Sequence, residues 1–246
     1  MTRRGLLALA VALPGAARAE APGVSPPPDA ALPLDLALRD AAGRPILLGE
    51  ALGGLPTIFA FADYDCAALC GTALGLAASA LPRSGLVPGR DFRLVVLGLD
   101  PADGPAKAAA MRRAWLGEGT PLADSARFLV GAAPALARAE AALGYRALRQ
   151  GERYLHPLVL FALRADGSLA ATLPALGATP EDMRDALRSA AREDAPGLFA
   201  RVQLVCEGLA PGRETVLRSV LAASGAATVA VLAGGLVLLR RWERRA

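Results

Sequence analysis

At 246 residues the chain can bury one sizeable core with extra segments, but not two large domains. Its 54% hydrophobic content and mean hydropathy of +0.37 are high for a soluble protein, and two uninterrupted apolar segments near the termini account for much of the excess. The formal charge of +4 also sits at the ends: removing three Arg before residue 20, and four Arg with one Glu after residue 219, takes 27 basic and 23 acidic groups to 20 and 22. Residues 20–219 are therefore slightly acidic, which excludes a cationic, nucleic-acid-seeking surface.

In chain order, Arg3-Arg4, the apolar run Gly5 to Leu13 and Ala17-Arg18-Ala19 read as a secretory signal peptide over residues 1–19. Thr2 to Leu7 weakly resembles a twin-arginine export signal. Residues 20–33, with Pro26-Pro27-Pro28, read as an extended Pro/Ala-rich linker. Leu34–Leu38 and Ile46–Leu48, around the turn Asp40–Pro45, read as an N-terminal hairpin. Thr57–Ala62 is β-branched and aromatic enough for a buried strand, and Gly71–Leu81 reads as a helix stopped by Pro82. Between them lie Cys66 and Cys70. If Cys66 occupies the first helical turn, the two sulfurs share a face, and the helix start favours thiolate over thiol. Such a pair can close a disulfide or bind a soft metal.

Phe92–Leu97 is a second central strand, closed by Asp100-Pro101-Ala102-Asp103. Ala106–Leu116 reads as a helix, Arg127–Val130 as a short strand, and Pro134–Leu143 as a helix ended by Gly144. Leu158–Leu163 and Ser168–Leu173 form a second hairpin around Asp166-Gly167, and Thr179-Pro180-Glu181-Asp182 caps a helix running to about Arg192. The order hairpin, βαβα, hairpin, α indicates an α/β protein, a thioredoxin-like sheet flanked by helices. Residues 34–206 are expected to form this domain, followed by a juxtamembrane segment over 207–219. Val220–Leu239 is twenty residues without a charge, long enough to span a bilayer. The basic tail 240–246 would stay in the cytoplasm, leaving the domain outside.

His156, the chain's one histidine, precedes the strand 158–163 in Leu155-His156-Pro157. With Cys66 and Cys70 it could make a Cys₂His site suited to copper, and zinc fits the same ligands chemically. A packing histidine and two core cysteines remain the plain alternative. Tyr64, Asp65 and Asp100 could support ligands, though each reads first as a turn residue. Cys206 has no defensible ligand position and reads as a buried or juxtamembrane thiol.

Taken in order, Asp65-Cys66-x-x-x-Cys70, Asp100-Pro101-x-Asp103, Phe128-Leu129-Val130-Gly131, Leu143-Gly144-Tyr145, His156-Pro157 and Asp166-Gly167 resemble the SCO1/SenC family of membrane-anchored, thioredoxin-like copper proteins, over roughly residues 30–206. The resemblance implies a copper ion on Cys66, Cys70 and His156. It also implies delivery of copper to the copper-bearing subunit of cytochrome c oxidase, with the domain on the periplasmic face of a bacterial inner membrane and a copper donor or thiol reductant as a further partner. That is a metallochaperone rather than an enzyme. Two alternatives stand beside it: a thiol–disulfide oxidoreductase using Cys66 and Cys70, and an assembly adaptor without metal. The chain departs from the family in having Ala67 and Gly71 where prolines usually follow the cysteines, and in its C-terminal anchor.

Overall fold

The computed structural model describes residues 21–66 and 69–192, with the backbone alone for 69–73. The expected signal peptide, the membrane segment 220–239, Cys206 and the side chain of Cys70 lie outside the described residues. Among the described residues no helix is long and apolar enough to cross a membrane.

The elements run β1 (Gly23–Val24), β2 (Ala37–Asp40), β3 (Pro45–Leu47), α1 (Leu48–Leu52), β4 (Thr57–Ala62), α2 (Leu69–Ala80), β5 (Arg93–Gly98), α3 (Pro105–Leu116), α4 (Pro121–Ser125), β6 (Arg127–Val130), α5 (Ala133–Ala142), β7 (Tyr145–Arg146), β8 (Leu148–Gln150), β9 (Arg153–Leu155), β10 (Val159–Leu163), β11 (Leu169–Pro174) and α6 (Pro180–Ala191). Seven of these strands form one mixed sheet in the order β11-β10-β4-β5-β6-β2-β3. The centre β4-β5-β6 is parallel, from Thr57 opposite Arg93 to Ala62 opposite Gly98, and the hairpins flank it antiparallel.

Every residue of β4 is buried because both faces of the central sheet are covered. Successive side chains alternate between the faces. Ile58, Ala60, Leu94 and Val96 pack with Ala77 of α2, Met111 of α3 and Met183 of α6. Phe59, Phe61, Val95 and Leu97 pack on the opposite side with Leu52 of α1 and Leu136 of α5. Helices thus cover both faces, as the element order implied. The α6 cap forms as read: Thr179 Oγ1 accepts from the Asp182 amide at 3.2 Å, and Asp182 Oδ2 accepts from the Thr179 amide at 2.8 Å.

Three differences bear on the site. The first concerns residues 20–33, whose chain, from Gly23 on, packs against the domain. Val24 pairs with Tyr145, Ala30 and Leu32 are buried, and the Leu32 amide donates to the Gly167 carbonyl. Secondly, β8 and β9 form a hairpin, Leu148 opposite Leu155, across the turn at Gly151. Thirdly, Cys66 is not helical: it closes the turn that follows β4, and its amide donates to the Asp63 carbonyl at 3.1 Å. Asp63 shapes that turn, through its carbonyl to Cys66 and its carboxylate to the Asp65 amide.

Candidate metal centre

The site region lies where β4 and β5 end, the edge at which α/β sheets place their ligands. Asp63 follows β4 directly and is only 2% exposed. Its Oδ1 accepts from the Asp65 amide at 3.0 Å, which shapes the turn leading to Cys66. Its Oδ2 accepts from the Tyr154 amide of β9 at 3.0 Å. One carboxylate therefore ties the cysteine turn to the hairpin that carries His156. Tyr64 turns the other way. Its ring stacks near Phe128, and its hydroxyl reaches the carbonyls of Val96 and Leu129 at 3.1 and 2.8 Å. Burial pushes its phenol far above the usual range, so it is a neutral anchor beneath the sheet end. Gly98 admits that ring, since a Cβ there would meet Tyr64 Cε2 at 2.7 Å.

Asp65 is exposed and shares the Lys107 ammonium with Asp103, whose carboxylate is buried. Burial raises the Asp103 carboxyl above the usual range, against the pull of its hydrogen bond from Lys107. Asp100 Oδ1 caps its own turn by accepting from the Ala102 amide at 2.8 Å. Its Oδ2 faces the Arg149 guanidinium at 3.8 Å, and that guanidinium lies 5.9 Å from the centre of the Tyr154 ring. Asp100 is thus a turn residue that also steadies the β8–β9 hairpin.

Cys66 is half-buried. His156, also half-buried, leaves β9 in the extended segment that a following proline favours. It shares a small recess with Phe61, Ala62 and Leu74, on the side where α2 starts its course over the sheet. Burial holds its imidazole below the ordinary histidine range, against the raising effects of the Pro157 carbonyl and the Asp63 charge. The ring is consequently neutral at neutral pH, the form in which it can donate a lone pair. Nδ1 lies 2.8 Å from the Tyr145 hydroxyl and 3.1 Å from the Pro157 carbonyl.

The structure therefore gathers Cys66 and His156 onto one edge, linked through Asp63. Among the described residues no group of three or more His, Cys, Asp and Glu side chains is close enough to hold a metal, and the Cys70 side chain lies outside them. A half-buried thiol and a neutral imidazole whose Nδ1 is already engaged fit a soft or borderline ion. Sequence reasoning missed Asp63 and Tyr145. Asp63 was masked by Asp65 beside it, and Tyr145 by its reading as the residue after a helix stop.

No protein-family model matches the sequence, and no curated protein matches it. Solved structures do. A protein from Aquifex aeolicus VF5, provisionally named for electron transfer, superposes with a TM-score of 0.59 at 21% identity, over 65% of this chain and 92% of its own. BsSco, a Sco-family cytochrome c oxidase assembly protein with a disulfide switch, gives 0.54 at 15% identity, over 70% and 99%. Arabidopsis thaliana ScoI, solved with copper bound, gives 0.53 at 15% identity, over 63% and 94%. The chain has the Sco-type thioredoxin-like fold. At these identities the Sco likeness is one of architecture.

Proposed function

We propose that the chain is a copper metallochaperone that acts in assembly of the copper centre of cytochrome c oxidase, holding the ion between Cys66, Cys70 and His156. The observation that carries this reading is the Asp63 bridge, which places a neutral imidazole and the Cys66 turn on the same edge of a Sco-type sheet. ScoI was solved with copper bound, and BsSco belongs to a cytochrome c oxidase assembly family. Cys66 and Cys70 would bind copper after losing their protons, so loading needs a reduced pair. Three donors leave the ion open to ligand exchange with a docked apo-subunit. Residues 220–239 would anchor the domain to a bacterial inner membrane, on its periplasmic side, with residues 1–19 directing export.

A second reading, thiol–disulfide exchange at Cys66 and Cys70, is favoured by the disulfide switch of BsSco and by a cysteine at the strand-to-helix junction of a thioredoxin-like sheet. The two separate in cells that lack this gene. Wild-type chain should restore copper to the oxidase and His156→Ala should not; restoration by His156→Ala would favour the redox reading.

A further inference from the structure

Tyr145 is a core residue with one polar atom at the site. Gly144, at φ +57°, turns the chain out of α5 and passes so close to the Ser25 carbonyl that a Cβ has no room. The turn delivers the Tyr145 ring beneath Phe61, where the two stack at 4.4 Å with 25° between planes, and Phe161 meets it edge-on at 6.0 Å. The ring is held on several sides, so its hydroxyl is fixed in space. That hydroxyl donates to the Pro157 carbonyl at 2.9 Å and lies 2.8 Å from His156 Nδ1, which is itself 3.1 Å from the same carbonyl.

The three atoms form a triangle whose protons can be counted. A carbonyl only accepts, and the tyrosine has a single proton, which goes to that carbonyl. With a proton on Nδ1, the imidazole donates to the tyrosine oxygen, the carbonyl or both, and each close approach is an attraction. With the proton on Nε2 instead, Nδ1 sets a lone pair against a carbonyl oxygen at 3.1 Å. The one tyrosine proton can then serve only one of these two acceptors. We infer that Tyr145, with the Pro157 carbonyl, fixes His156 as the Nδ1–H tautomer, so that Nε2 is the nitrogen that serves the metal. Tyr145 is thus a positioning residue. It acts through His156, and the inference rests on the copper reading above for its purpose, though not for its geometry.

The test uses the full-length chain, reduced and metal-free, with ¹⁵N label. Its one histidine makes the imidazole signals assignable without ambiguity. Two-bond proton–nitrogen correlation above the imidazole's titration should show Nδ1 as the protonated nitrogen. Tyr145→Phe keeps the ring and its stacking, so a purely structural role would move neither tautomer nor affinity. We expect a shift of the tautomer population toward Nε2–H and a Cu(I) affinity lower by about 10- to 100-fold, the range for losing such a supporting partner. A wild-type ring protonated on Nε2 would overturn the inference without any variant. So would a Tyr145→Phe chain with unchanged tautomer and unchanged affinity. If wild type binds no Cu(I) but shows the Nδ1–H tautomer and loses it in Tyr145→Phe, the copper reading falls and the positioning by Tyr145 holds.

Discussion

The Asp63 carboxylate is the join on which the site depends, and removing it has a calculable cost. Asp63→Ala deletes two hydrogen bonds from backbone amides to an anion, one local to Asp65 and one to Tyr154, 91 residues away in sequence. Bonds to a charged group contribute about 1.5–3 kcal/mol each. Both amides are partly buried, so water recovers some of the loss, and about 2–4 kcal/mol of destabilisation is expected. Asp63→Asn retains one accepting oxygen and turns an N–H toward the other amide, so about half that loss should remain. Urea unfolding gives the magnitude, and native-state hydrogen exchange gives the location: the Tyr154 amide should lose protection in both variants or in Asp63→Ala alone, while amides of β5 lose only what global stability dictates. Unchanged Tyr154 exchange in Asp63→Ala would refute the idea that this carboxylate holds the hairpin to the cysteine turn.

Two further outcomes follow from the same packing. Gly98→Ala drives a methyl into the buried Tyr64 ring, which is pinned by its own hydrogen bonds; a loss of about 1–3 kcal/mol is expected, read by urea midpoint, and a loss near zero would show that the ring can move. Burial raises the Glu140 carboxyl from 4.5 to about 6. A carboxyl raised by folding penalises the native state once ionised, so stability falls as pH rises through that window and the penalty is complete above about pH 6. Glu140→Gln should therefore stabilise the fold at about pH 7.5, by less than about 1 kcal/mol after discounting for a half-exposed group, and not below about pH 4.5, as read from urea or thermal unfolding at the two pH values. An equal gain at both pH values would contradict it.

Most of the sheet was legible because its strands carry their own signature. After Thr57, the strand Thr57–Ala62 is apolar on both faces, as a central strand is, and the structure ends it at Ala62 as read. Helix α4 was missed although Thr120-Pro121 repeats the cap of Thr179-Pro180, because five residues give too little periodicity to notice. The β8–β9 hairpin was hidden by Arg149, Gln150, Glu152 and Arg153, polar and charged side chains typical of a solvated loop; what orders it is tertiary, namely Asp63 and Asp100. The same applies to the site. Cysteines and a histidine announce themselves by residue type, and Cys66 and His156 do fall on one edge. Asp63 and Tyr145 act through partners 91 and 11 residues away, and no local pattern encodes those distances. The residues after Ala21 look like a spacer by composition, yet Val24, Ala30 and Leu32 are buried, since three apolar side chains suffice to dock an extended segment.

The most direct test of the copper reading is a Cu(I) competition titration of the reduced full-length chain, beside Cys66→Ser, Cys70→Ser and His156→Ala. The account predicts one ion per wild-type chain, with binding abolished by either cysteine change and weakened by the histidine change. A wild-type chain that takes up no Cu(I) while Cys66 and Cys70 cycle readily between dithiol and disulfide would contradict it.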